Sequence, residues 1–171
     1  MPYSYGEYKN EIRDHIVDNF PKQTKILDVG AGAGSYGKLL KRHYEVVDAL
    51  EIYPKYLEMF KLEELYSAIH IGDVREFDLS NYDYIVLGDV VEHLTVADAT
   101  SLLNKIHRLG KKMMVAVPYK FKQGEEYGNI HETHHQPDLT IAVMYQRYPM
   151  LRLIYGDLRY GYYINYIPPI K

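Results

Sequence analysis

Ile26-Leu27-Asp28-Val29-Gly30-Ala31-Gly32-Ala33-Gly34 is the stretch on which the reading of this chain turns. Its short apolar opening predicts a buried strand, residues 25–29, that runs straight into three alternate glycines. Alternate glycines let the backbone curve sharply and keep side chains away from the place where a ligand lies against the main chain. Residues 35–43 then read as a helix with Leu39 and Leu40 turned inward. Strand, glycine turn and helix in that order put the turn at the carboxyl end of a strand, where open α/β sheets bind their ligands.

Outward from this unit the same alternation continues. Upstream, residues 7–20 carry Ile12, Ile16, Val17 and Phe20 at helical spacing, and Pro21 stops the helix. Downstream, residues 44–50 predict a strand and residues 54–65 a helix with Tyr56, Leu57, Phe60 and Leu65 as its apolar side. Strands follow at 68–71 and 84–87, then a helix at 95–109 whose Thr95 and Asp98 resemble a capping box. A strand at 113–117 ends at Pro118. Residues 119–138 are polar and irregular, residues 139–148 predict a helix, and 151–155 and 160–166 alternate as two strands around Gly156-Asp157. The expected fold is α/β: a three-layer sandwich with a mostly parallel seven-stranded sheet and a C-terminal antiparallel hairpin. We expect one domain over residues 1–171.

Two ligand types compete for the glycine turn. Gly32-x-Gly34-x-x-Gly37 satisfies a dinucleotide fingerprint, in which a pyrophosphate sits on the helix N-terminus. Asp28 argues the other way, because a carboxylate just before the turn repels a pyrophosphate and suits a cationic ligand. The fuller pattern D-x-G-x-G-x-G after an apolar strand is the more specific of the two.

In that pattern the chain resembles the class I S-adenosylmethionine-dependent methyltransferases, across roughly residues 25–118. The resemblance implies a Rossmann-like fold with S-adenosylmethionine over Asp28, Gly30, Ala31, Gly32 and Gly34. It implies that Glu51, followed by Ile52, holds the two ribose hydroxyls from the end of the second strand, with Asp48 as a competitor. In Gly72-Asp73-Val74, Asp73 would accept from the adenine amino group and Val74 would stack on the ring. Gly88 and Asp89, in the segment 84–94, would wall the methionine end.

Methyl transfer from a sulfonium is an in-line displacement, and an oxygen or nitrogen acceptor calls for a base, commonly His. Asp89-x-x-Glu92-His93 groups two acids and an imidazole, which could bind a divalent ion. It resembles the Glu-x-x-Glu-His of ubiquinone-pathway O-methyltransferases and small-RNA 3′-end methyltransferases, with Asp at the first position. Glu92 and His93 could equally just cap the next helix. The loop 129–135 carries His131, Glu132, His134 and His135, four of its seven residues able to bind metal or protons in a chain with 8 His. His93, His131 and His134 are the candidate catalytic residues, and a divalent ion at Asp89, Glu92, His93 and His134 is a subsidiary expectation. The loop 119–138 is expected to face the acceptor, with Lys120 and Lys122 available to an anionic one. Residues 1–24, with Tyr3, Tyr5 and Tyr8, are expected to form a helix and lid.

Composition narrows the partners. The net charge is −3, from 20 Lys and Arg against 23 Asp and Glu, so the basic surplus of a nucleic-acid binder is missing and a small-molecule acceptor is favoured. No Cys is present, which removes disulfides and thiolate chemistry. Without an apolar run of membrane length or a signal-peptide pattern, the expected place is the cytoplasm. With 19 Tyr against 4 Phe and no Trp, tyrosine does most of the aromatic packing, and the tyrosine-rich C-terminus suggests a homodimer contact. The alternatives kept are a metal-assisted RNA methyltransferase, an NAD(P)-binding oxidoreductase and a non-catalytic binding protein of the same fold.

Overall fold

Strands that are apolar on both faces need cover on both sides. In β1 (Ile26–Val29) and β4 (Tyr84–Gly88) every residue is buried. Ile26, Tyr84 and Val86 face one side, where they meet Ile12 and Ile16 of α1 (Lys9–Asn19) and Leu40 of α2 (Ser35–Leu40). Leu27, Ile85 and Leu87 face the other. There α4 (Val96–Arg108) contributes Leu102, Leu103 and Ile106, and α5 (Ile141–Arg147) contributes Met144. The computed structural model, which describes residues 5–168, is thus a three-layer α/β sandwich.

The remaining elements are β2 (Val47–Glu51), α3 (Lys55–Phe60), β3 (Ile69–Ile71), β5 (Lys112–Pro118), β6 (Arg152–Gly156) and β7 (Tyr160–Ile164). The seven strands lie in the order β3-β2-β1-β4-β5-β7-β6. β1 pairs in parallel with β2 and β4, β2 with β3, and β4 with β5. The hairpin is antiparallel, and β7, its second strand, is the one that pairs with β5. The parallel order reverses between β2 and β4 around β1, so a crevice opens above the carboxyl end of β1. Asp157 closes the hairpin, its Oδ1 accepting from the amides of Arg159 at 2.6 Å and Tyr160 at 3.1 Å.

The expected fold is the observed one, with local differences. The helix read over 54–65 is broken: α3 stops at Phe60, Lys61 takes φ 50°, and a 3-10 turn covers Leu62–Glu64. The break turns Leu62 and Leu65 under the glycine turn, against the space that a Cβ on Gly34 would fill. Thr95 caps α4 as expected, its Oγ1 accepting from the Asp98 amide at 3.1 Å. Among the described residues no helix is long and apolar enough to cross a membrane. Tyr3 lies outside the described residues.

Candidate functional site

The glycine turn requires its glycines. Gly30, Gly32 and Gly34 have φ of 67°, 52° and 75°, a region that L side chains rarely adopt. A Cβ on Gly30 would also stand 2.8 Å from Cγ2 of Val90. With its side chains removed, the turn floors a cavity of about 280 Å³ at the carboxyl ends of β1, β2 and β4. Gly30, Ala31, Gly32, Glu51 and Ile52 line it on one side, and Asp73, Val74, Gly88 and Asp89 on others.

Glu51 ends β2 and is only 3% exposed. Its Oε2 accepts from the Gly32 amide and its Oε1 from the Tyr53 amide, both at 2.9 Å. Burial raises its pKa, and those amide bonds oppose the rise. The carboxylate is therefore fixed in direction, with lone pairs left for further donors. Tyr56 stands nearby with its hydroxyl donating to Oε1 of Glu132 at 2.8 Å, which ties the 129–132 segment down over the cavity.

At the far end Asp73 is gripped by Arg75, whose Nε lies 2.9 Å from Oδ2 and 3.0 Å from Oδ1. Arg75 also reaches Asp98 at 3.2 Å. The Arg75 hydrogen bonds hold the Asp73 carboxyl below the usual carboxylate range. Arg75 and Asp98 were not legible as wall residues, because one follows a strand and the other sits in a helix cap.

Asp28 and Gly34 are not on the cavity wall. The carboxyl of Asp28, expected beside a cationic ligand, lies beneath the turn instead. Its Oδ2 accepts from the hydroxyl of Tyr66 at 2.6 Å, and that hydroxyl accepts from the Gly37 amide at 3.2 Å. Burial pushes the Asp28 carboxyl up to about 7, against the Tyr66 hydrogen bond and the charge of Lys9. The reason for the displacement is the period of β1: Val29 and Asp28 point to opposite faces, and the Asp28 face is closed by α1, α2 and Tyr66.

Beyond the turn, Tyr36 presses on Gly88, where a Cβ would overlap the ring. Asp89 takes φ 57°, and its Oδ1 accepts from the hydroxyl of Tyr160 on β7 at 2.7 Å. A strand-end acid at β2, an acid after β3 and a glycine-floored crevice between β1 and β4 now stand in one cavity. A family model described as "Methyltransferase domain" matches residues 26–113.

The chain belongs to this methyltransferase family.

Several of the solved structures that resemble it are described as methyltransferases, of varied kinds. The S-adenosylmethionine-bound structure of CalS10, an amino pentose methyltransferase from Micromonospora echinaspora, is 26% identical. The alignment covers 66% of this chain and 50% of CalS10 with a TM-score of 0.54, so this chain spans about half the length of that protein. A Burkholderia thailandensis 1,6-didemethyltoxoflavin-N1-methyltransferase, solved with 1,6-didemethyltoxoflavin and S-adenosylhomocysteine, is 15% identical over 92% of this chain and 76% of its own, TM-score 0.65. The small RNA methyltransferase HEN1 is 18% identical over 96% of this chain and 26% of its own, TM-score 0.68. At those identities the last two speak for the fold. No curated protein sequence matches the chain.

In this methyltransferase domain the imidazoles gather on the β4 and β5 side. Glu92 and His93 sit in a 3-10 turn, Val91–His93, and His134 comes from the loop after β5. Ligand-capable atoms of Glu92, His93 and His134 lie within 4.8 Å of one another. Nδ1 of His93 lies 3.3 Å from the Thr133 carbonyl and Nδ1 of His134 lies 2.9 Å from that of Phe121. A carbonyl only accepts, so each Nδ1 carries the hydrogen and each neutral ring keeps its Nε2 lone pair. Burial, with His134 next to it, lowers His93 to about 4, and burial lowers His134 too. Glu92 is 1% exposed, burial raises its carboxyl well above the usual range, and neither oxygen has a hydrogen-bond partner among the described residues.

Asp89 does not join this cluster; its carboxylate points to Tyr160. Of the three catalytic candidates, His93 and His131 line the cavity and His134 stands behind His93, ring centroids 4.6 Å apart. His135 and Glu132, which are not among the three candidates, line it as well. Lys120 and Lys122 are exposed and off the wall. Tyr5 and Tyr8 do not close over the cavity: Tyr5 stacks on Tyr160 at 5.0 Å and Tyr8 on Tyr155 at 6.1 Å.

Proposed function

We propose that the chain transfers the methyl group of S-adenosylmethionine to an oxygen or nitrogen of a small molecule. The observation that carries this is the Glu51 carboxylate, oriented by two amides at the edge of a glycine-floored cavity. Its remaining lone pairs suit a pair of vicinal hydroxyls, the ribose of the cofactor. Gly30, Ala31 and Gly32 give the backbone contact surface, Ile52 and Val74 the apolar flanks of the base, and Asp73 an acceptor for its amino group beside Arg75. Asp89 supplies negative charge at the end where the sulfonium would lie. Bound there, the cofactor supplies an electrophilic methyl group for in-line displacement.

On the acceptor side His93 serves as the base. It is neutral at pH 7, faces the cavity and has Nε2 free to take the acceptor's proton. His131, with Asn129, Ile130, Glu132 and His135 of the 119–138 loop, lines the acceptor's entrance. The whole chain acts as one methyltransferase domain in this reading.

A second reading rests on Glu92. A buried carboxylate with both oxygens unpartnered among the described residues, and one ring nitrogen from each of two imidazoles within 4.8 Å, is a donor set that fits a divalent cation. The Nδ1–H bonds to carbonyls orient the imidazoles as second partners do at metal sites. Such an ion would hold and polarise an acceptor oxygen, as in metal-assisted methylation of RNA ends, and His93 would then be a ligand and not a base.

Calorimetric titration with S-adenosylmethionine, S-adenosylhomocysteine and NADH tests the proposal. Binding of the first two, weakened on the order of 10- to 100-fold in Glu51→Ala, is expected. Binding of NADH alone would overturn it in favour of an oxidoreductase, and binding of none would favour a non-catalytic protein. An acceptor screen with and without Mn²⁺ separates the base and metal readings.

A further inference from the structure

Two buried hydrogen-bond donors, one on the wall of the cavity and one behind it, stand without hydrogen-bond partners among the described residues. Nζ of Lys9, the first residue of α1, lies 3.6 Å from the centroid of the Tyr36 ring. It is enclosed and makes no hydrogen bond among the described residues, and neither does the hydroxyl of Tyr36. Burying an ammonium against a ring face alone, and a phenol with no hydrogen-bond partner, is costly, so such a pair signals a missing acceptor. Tyr36 lines the cavity, and its ring packs on Gly88 at the end away from Asp73 and Val74. The two acids that act on Lys9, Asp28 and Asp89, lie too far for hydrogen bonds to its Nζ. They keep the ammonium charged against burial, which lowers it only to about 8.

We propose that Lys9 and Tyr36 form an anion-binding end of the cavity that takes the carboxylate of the cofactor's amino-acid part. A carboxylate offers two oxygens to two donors, and one of those donors is cationic. A ligand whose sugar lies on Glu51 and whose base lies beside Asp73 directs its tail past the glycine turn, toward Tyr36. Lys9 does not itself line the wall, but its ammonium rests on the ring that does, and its stem is long enough to reach around it. The N-terminal helix thereby has a binding role as well as a packing one. This inference rests on the cofactor reading above.

Three ligands separate the possibilities: S-adenosylhomocysteine, decarboxylated S-adenosylhomocysteine, which lacks only the carboxylate, and 5′-methylthioadenosine, which lacks the whole tail. Calorimetry on the wild-type chain should find S-adenosylhomocysteine bound more tightly than the decarboxylated form. In Lys9→Met the affinity for S-adenosylhomocysteine should fall on the order of 10- to 100-fold while that for 5′-methylthioadenosine stays within about twofold. Lys9→Arg, which keeps the charge, should recover most of the loss. Tyr36→Phe, which deletes one oxygen, should lower S-adenosylhomocysteine affinity about tenfold and also spare 5′-methylthioadenosine. Equal losses for both ligands would make Lys9 and Tyr36 purely structural and overturn the inference. So would a wild-type chain that ignores the carboxylate. If 5′-methylthioadenosine and S-adenosylhomocysteine both fail to bind, the cofactor reading falls first and this inference with it.

Discussion

Asp28→Asn isolates the cost of placing a carboxyl beneath the glycine turn. Burial holds the Asp28 pKa at about 7 against an ordinary 3.8. An acid with a raised pKa binds more protons folded than unfolded, so its contribution to stability is greatest below pH 3.8 and is lost as the pH climbs to 7. The gap is 7 − 3.8, about 3 units, and at 1.36 kcal/mol per unit the loss is about 4 kcal/mol. Asparagine does not titrate, and its carbonyl can still accept the hydrogen bond that Tyr66 gives Oδ2 at 2.6 Å. The unfolding free energy of Asp28→Asn minus that of the wild type should therefore rise by up to about 4 kcal/mol between pH 4 and pH 7. Urea denaturation of both proteins at fixed pH steps measures it, and taking the difference cancels acids that titrate alike in both. A difference that stays flat within about 0.5 kcal/mol across the range would refute the reasoning, since Asp28 would then titrate as an ordinary solvated acid.

Three further outcomes follow from the same packing. In Gly88→Ala the new methyl runs into the Tyr36 ring; thermal melts should show a loss of about 1–3 kcal/mol, and S-adenosylhomocysteine should stabilise the variant less than the wild type. Gly37→Ala places a Cβ 2.5 Å from Cζ of Tyr66, so it should detach Tyr66 from Asp28 and destabilise by a similar amount, about 1–3 kcal/mol, with unchanged stability speaking against the contact. Glu92→Gln should abolish any calorimetric Mn²⁺ binding while leaving the protein folded, and binding that persists would remove the metal reading.

Much of the fold could be read because its strands are short apolar runs separated by glycine, proline and helical spacing. The cavity floor was legible for the same reason: alternate glycines after an apolar strand have few other uses. What stayed hidden depends on contacts between residues far apart in the chain. Nothing near Asp28 announces that Tyr66 donates to it. Lys9 reads as one polar residue at a helix start, and its isolation on Tyr36 exists only once α1 has packed. The helix over 54–65 looked continuous because its apolar spacing is regular, while the break at Lys61 answers the need to bury Leu62 under the turn. In the 129–135 loop the imidazoles were visible, but their order along the chain does not reveal that His131 and His135 face the cavity while His134 backs His93.

The place of β7 between β5 and β6 has a consequence for synthesis on the ribosome. Chains emerge from the N-terminal side, so β1 to β5 can associate while residues 160–164 are still unmade. During that interval β5, whose Met113 to Val117 are fully buried in the finished fold, presents an open edge to its surroundings. The first strand of the hairpin does not cover it, because among the described residues β6 pairs only with β7. Tyr160, which holds Asp89 at the cavity, arrives with that same strand. Nascent chains stalled before residue 160 should therefore aggregate or recruit chaperones, and should have the glycine turn without a completed site.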